Sequence, residues 1–180
     1  HTVGLPAIDL ISVGHFASSR EVAERLDLEL DRPILLCPQH PVTTEFEQAA
    51  DQIRPLLDAT IALAEGGTQI ILTYPNNDAG SQAIVAELAE VSQRHIKGIQ
   101  VHRSLGRHLY HGVLALATDP TIRIACVGNS SSGIKETSAF GCPTVNIGSR
   151  QEGRLRGDNV INVRYDKDDI ISAIDRSLND

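Results

Sequence analysis

From residue 31 onward, short apolar runs alternate with longer stretches in which apolar residues return every third or fourth position. Apolar runs of four to eight residues bounded by turn formers have the length of buried strands, and the stretches between them carry the helical period. PILLC (33–37), TQIILTY (68–74), GIQVHRS (98–104), TIRIACV (121–127), PTVNI (143–147) and NVINV (159–163) therefore predict six strands. Helices are expected over 45–65, 80–95, 106–117, 132–141 and 167–178. In the first of these, Ile53, Leu56, Leu57, Thr60, Ile61 and Ala64 share one face that a sheet would cover. Thr44 followed by Glu47 has capping-box spacing at its start. Strands alternating with helices in this way build βα units. The expected fold class is therefore a Rossmann-like, doubly wound α/β domain with a parallel sheet. Residues 1–30 are less regular, a short apolar opening and a helical stretch at SSREVAERLDLEL, and read as a linker or lead-in before a domain over 31–180. There is no internal repeat or low-complexity tract.

Composition narrows the function classes. A formal charge of -7 argues against a nucleic-acid partner, because phosphate-backbone affinity needs clustered Lys and Arg. No apolar run approaches the roughly 20 residues of a membrane span, so no membrane partner is expected. Cys37, Cys126 and Cys142 are far apart and lack C-x-x-C or zinc spacing, and read as buried thiols in a reducing, cytoplasmic setting. His95, His102, His108 and His111 lack H-E-x-x-H pairing, so no metal is assigned. The chain starts at His1, contains no Met and shows no signal-peptide pattern, as expected of a piece of a longer protein.

In a doubly wound sheet, ligands bind outside the carboxyl ends of the strands, so the loops there are the candidates. Gly128-Asn129-Ser130-Ser131-Ser132-Gly133-Ile134-Lys135-Glu136 leaves a predicted strand and opens a predicted helix, with small residues, hydroxyls and free amides suited to an anion. Gly128 and Gly133 have P-loop spacing, but the lysine comes one place late and Glu136 stands where a magnesium-binding Ser or Thr belongs, which excludes a nucleoside triphosphatase. A carboxylate beside a diphosphate is repulsive, so Glu136 would instead accept from a ribose diol. Serine-rich turns also simply cap helices, and Glu136 is then a solvated side chain. Gly148-Ser149-Arg150-Gln151-Glu152-Gly153-Arg154-Leu155-Arg156-Gly157 places three arginines after another strand, where guanidinium forks can meet phosphate oxygens. His40, in Cys37-Pro38-Gln39-His40-Pro41, could donate to or exchange protons with a phosphate or sugar hydroxyl near neutral pH. Asn76 and Asp78, in Tyr74-Pro75-Asn76-Asn77-Asp78, could orient sugar hydroxyls and are equally at home as turn residues.

QHPVTTE (39–45), YPNNDAGS (74–81), GNSSSGIKE (128–136), AFGCPTVNIGSRQEGR (139–154) and GDNVINV (157–163) together resemble the hydrolysing UDP-N-acetylglucosamine 2-epimerases. The serine-rich turn and RQEGR match that branch rather than the non-hydrolysing one, which carries an acidic-Ser-Gly-Gly turn and a Thr-Glu-Arg-Pro segment. The resemblance implies one half of a GT-B-type two-domain enzyme that eliminates UDP from UDP-N-acetylglucosamine through a glycal, adds water and releases N-acetylmannosamine, as in sialic-acid biosynthesis. It implies that Ser130 and Ser131 hold the diphosphate, Glu136 the ribose and Arg150 the nucleotide. His40 would be the active-site histidine, Asn76 and Asp78 would lie toward the sugar, and Ser132 and Arg154 would have supporting roles. The expected partners are UDP or UDP-N-acetylglucosamine and an N-terminal domain absent from this chain, which would supply the acid and base carboxylates. No cofactor is expected, a homo-oligomer is left open, and the chain alone is expected to bind UDP weakly without turnover. A GT-B glycosyltransferase and a non-catalytic UDP-sugar sensor are the alternatives.

Overall fold

In the computed structural model, which describes residues 6–179, the six expected strands are β1 (Ile34–Pro38), β2 (Gln69–Thr73), β3 (Ile99–His102), β4 (Ile124–Gly128), β5 (Thr144–Ile147) and β6 (Val160–Val163). They form one sheet in the order β3-β2-β1-β4-β5-β6 with every pair parallel. Runs such as ILLCP and IACVG have no polar alternation because the strands at the centre of such a sheet are covered on both faces, and β1, β2 and β4 are buried along their whole length. The edge strands β3 and β6 are only partly covered.

Helices close both faces. The α-helices in chain order are α1 (Pro6–Ser12), α2 (Ser19–Leu26), α3 (Ala49–Glu65), α4 (Ser81–Gln93), α5 (Gly106–Ala115), α6 (Ser132–Lys135) and α7 (Lys167–Asn179). Leu35, Cys37, Ala125 and Val127 point to one layer, where they meet Ile53, Leu56 and Leu57 of α3, Ile84 and Leu88 of α4, and Ile170 and Ile174 of α7. Ile34, Leu36, Ile124 and Cys126 point the other way, onto α1, α2 and α5. Successive strand residues face opposite sides, so β1, β2 and β4 each feed both cores. All three cysteines are free and buried in these layers.

Two local expectations are corrected. The stretch read as a lead-in is part of the packed body, since Ile11, Ala17, Val22, Leu26 and Leu28 join the second core. Six strands about 4.8 Å apart make a face roughly 24 Å wide, which a single helix about 10 Å across cannot cover, so α1 and α2 are needed beside α5. The capping box at Thr44 and Glu47 does not form. A 3-10 turn over Thr43–Gln48 precedes α3, neither it nor α3 has a side-chain cap, and the backbone at Glu45 is non-helical. Glu45 instead accepts a 2.6 Å hydrogen bond from the Gln52 amide, which pins the turn against α3.

Candidate functional site

The chain runs from β1 outward to β2 and β3, then crosses back to β4, so the loops after β1 and β4 part in opposite directions and leave a crevice between them. The two strand ends are in intimate contact there. Gly128 has φ +147°, and a Cβ at that position would lie 2.4 Å from the Pro38 carbonyl oxygen, so only glycine fits.

Asn129, fully buried, ties the surrounding loops together. Its Oδ1 accepts from the His40 amide and its Nδ2 donates to the His40 carbonyl, both at 2.8 Å. Its own carbonyl accepts from Arg150 Nη1 at 3.1 Å and from Gln151 Nε2 at 2.7 Å. Three loops, after β1, β4 and β5, therefore converge on one asparagine.

His40 is held in one tautomer by this framework. The Asn76 amide donates to His40 Nδ1 at 3.0 Å, which leaves the ring proton on Nε2. Burial, helped by the nearby Arg150 charge and opposed by Asp78, pushes its pKa down to about 4. At neutral pH the ring is thus neutral and a hydrogen-bond donor through Nε2, the first of the two roles the sequence left open for it. The Asn76 side-chain amide bonds Asp78 Oδ2, and Arg150 Nη2 stands 3.8 Å from the same oxygen. Burial lowers the Arg150 pKa while Asp78 opposes the shift. His40, Asn76, Asp78 and Arg150, scattered over 111 positions of sequence, form one cluster.

The serine turn lies beside it. Ser130 Oγ is 3.0 Å from Ser132 Oγ and accepts from the Ser132 amide at 3.3 Å. Among the described residues, the amides of Ser130 and Ser131 have no intramolecular acceptor. Ser132 Oγ is also bonded to the Tyr110 hydroxyl of α5. One turn further on, Glu136 does not face bulk solvent. Its side chain is 19% exposed, its Oε2 meets His111 Nε2 at 3.0 Å, and it lines a cavity of about 320 Å³ with Thr73, Tyr74, Arg103, Leu105 and Tyr110. A larger groove of about 750 Å³ follows β6 and α7 and touches the candidate loops only through Gly148, Ser149, Glu152 and Arg156. It contains neither the serine turn nor His40, so its size does not make it the better candidate.

Arg154 is not drawn into the cluster. It is exposed and has no side-chain hydrogen bond or ion pair among the described residues, although its charge is close enough to act on Arg150. Asn129, Gln151 and Tyr110 were given no role in the sequence, and His111 was weighed only as a metal ligand. Asn129 and Gln151 lie inside motifs already singled out and could have been picked up as polar residues at strand ends. Tyr110 and His111 sit on a helix with ordinary amphipathic spacing and carry no local signal.

The geometry can hold an anion between the serine turn and Arg150, with a carboxylate turned toward a neighbouring cavity. The sequence matches the family described as UDP-N-acetylglucosamine 2-epimerase over residues 1–180. It is 34% identical over 178 residues to the UDP-N,N'-diacetylbacillosamine 2-epimerase (hydrolyzing) of Legionella pneumophila, covering 98% of this chain and 44% of that protein. It is 30% identical over 181 residues to the UDP-N-acetylglucosamine 2-epimerase of Neisseria meningitidis serogroup B, again covering 98% and 44%. The chain thus spans less than half the length of these relatives. Among solved structures it is similar to E. coli ADP-heptose lps heptosyltransferase II, with a TM-score of 0.57 and 14% identity over 87% of this chain and 50% of that one, a likeness of fold.

Proposed function

We infer, since this chain belongs to the UDP-N-acetylglucosamine 2-epimerase family, that it grips the UDP part of a UDP-amino sugar at the carboxyl ends of β1 and β4. The diphosphate sits on Ser130, Ser131 and Ser132, with Arg150, held by the Asn129 carbonyl, beside it. Glu136 accepts from the ribose hydroxyls, and the base extends into the cavity of about 320 Å³ beyond it. The observation that carries this reading is that one strand-to-helix corner presents hydroxyls at one end and a sheltered carboxylate at the other, with the Arg150 guanidinium bonded to the Asn129 carbonyl beside the serines. An inorganic anion would need the donors and would be repelled by the carboxylate. A nucleoside diphosphate uses both.

The protein to which this chain belongs acts as a hydrolysing epimerase of two GT-B-like halves. The bond from sugar carbon 1 to the UDP oxygen breaks and a proton leaves carbon 2, giving a glycal and UDP. Water then adds across the double bond to release the 2-epimeric free sugar. Negative charge grows on the departing diphosphate, and Arg150 together with the His40 Nε2–H is poised to stabilise it. Asn76 and Asp78 lie toward the sugar, and Arg154 has a supporting role at the rim. The carboxylates that move the carbon 2 proton come from the other half, so this chain by itself binds UDP and catalyses nothing.

Thermal unfolding with and without UDP tests the reading. A ligand held only by the folded state stabilises it by about 2.7 kcal/mol at a hundredfold excess over Kd, and UMP and uridine should give progressively less. Arg150→Ala should remove most of the UDP effect. An unchanged midpoint with UDP beside a raised one with another nucleoside diphosphate would refute the assignment.

A further inference from the structure

Two neighbours on α5 reach the two ends of the Ser130–Glu136 segment. Consecutive helical residues point about 100° apart, so they can meet different groups. Tyr110 is directed at Ser132, where α6 begins, and His111 at Glu136, where the segment ends. The segment itself has little to hold it, because α6 is four residues long and a helix of one turn does not persist on its own.

We propose that Tyr110 and His111 are positioning residues that preset this segment for a nucleoside diphosphate, Tyr110 by orienting the serine hydroxyls and His111 by aiming the Glu136 carboxylate. The proposal rests on the reading above, in which the serine turn meets the diphosphate and Glu136 the ribose.

Each hydroxyl has one proton to give, so a chain of hydroxyls has a direction. When Tyr110 donates to Ser132 Oγ, Ser132 donates to Ser130 Oγ, 3.0 Å away, and the Ser130 oxygen also takes the Ser132 amide proton. The Ser130 proton is then left to point outward, toward an anion. In the opposite direction Ser130 spends its proton on Ser132 and offers only lone pairs. Burial pushes the Tyr110 pKa well above its ordinary 10, so the phenol stays protonated, and the proposal assigns that proton to Ser132.

At the other end, His111 is 2% exposed, with its ring beside that of Phe140 at 5.9 Å. Its Nδ1 is buried and has no partner among the described residues. The tautomer with hydrogen on Nε2 gives Glu136 a donor and leaves only a bare lone pair at Nδ1. The other tautomer would bury an unsatisfied N–H and set a lone pair against a carboxylate. His111 thus occupies Glu136 Oε2 and leaves Oε1 for a ligand hydroxyl.

Titration calorimetry of the wild-type chain, Tyr110→Phe, His111→Gln and His111→Leu with UDP and 2'-deoxy-UDP separates the two roles. Tyr110→Phe is expected to weaken both ligands about tenfold and leave their ratio unchanged, the size of one lost charge-assisted hydrogen bond. His111→Leu is expected to shrink the preference for UDP over 2'-deoxy-UDP about tenfold, and His111→Gln, which keeps an N–H, to retain most of it. Circular dichroism of each variant reports folding, and His111→Asn, whose amide falls short of Glu136, replaces the leucine variant if that does not fold. Folded variants with wild-type affinity and ratio would overturn the proposal alone, as would an equal loss of the ratio in Tyr110→Phe. A wild-type chain that does not bind UDP would bring down the reading of the site and this proposal with it.

Discussion

At the scale of single residues, His40 shows how surroundings decide what a motif residue can do. Its native pKa of about 4 lies below the ordinary 6.5, so the folded chain favours the neutral ring. As pH falls through 6.5 the unfolded chain takes up this proton, and the folded chain does so only near 4. Stability is therefore present above pH 6.5 and lost between 6.5 and 4, by on the order of 2 kcal/mol after allowance for solvent screening. Urea unfolding at pH 7 and pH 4.5 should show this loss in the wild type and a smaller one in His40→Gln. A nitrogen-15 NMR titration should place the His40 midpoint near 4 in the free chain. A bound diphosphate should raise that midpoint, because a nearby anion favours the imidazolium. Ser130, Ser131, Ser132, Glu136 and Arg150 were singled out from residue type and position, and the fold brings them to the loops after β4 and β5. Asn129 was quoted but given no part, because a buried asparagine that bonds main-chain groups 89 positions away has the same local spelling as a turn residue.

Between elements, the corner joining β1 and β4 is the most constrained place in the fold. Gly128→Ala would drive a methyl group into the Pro38 carbonyl at 2.4 Å in a backbone region that L residues avoid. It should destabilise the domain by about 2–4 kcal/mol, read from the urea midpoint, and weaken UDP binding by displacing Asn129. The core under α3 gives a different signature. Leu56 is fully buried among α3, α4 and α7, so Leu56→Ala should cost about 2–5 kcal/mol while UDP affinity in the folded protein stays close to wild type. The helical period over 45–65 located α3 correctly and misjudged its start. Thr44 and Glu47 have the right spacing for a cap, but Glu45 is claimed by Gln52, and the first turn tightens to 3-10. Periodicity reports which face is buried; how a helix begins depends on side chains that only packing brings within reach.

Over the whole molecule, burial grades from the centre of the sheet outward. Native-state hydrogen exchange should be slowest in β1, β2 and β4, which are buried throughout, and faster in the edge strands β3 and β6. Exchange in α2 should approach that of the core, because Val22 and Leu26 are packed into it. The amino-acid order by itself determined the six strands, the parallel sheet and the loops worth watching. Apolar runs and turn residues act over a few positions, and alternating strands and helices leave few ways to bury both faces. Only the tertiary structure decided that residues 6–28 belong to the packed body, that Arg154 stays outside the cluster, and that Tyr110 and His111 stand behind the serine turn. Those outcomes depend on pairings between distant segments, and the free energy of such a pairing belongs to two surfaces that meet, neither of which records its partner in its own sequence.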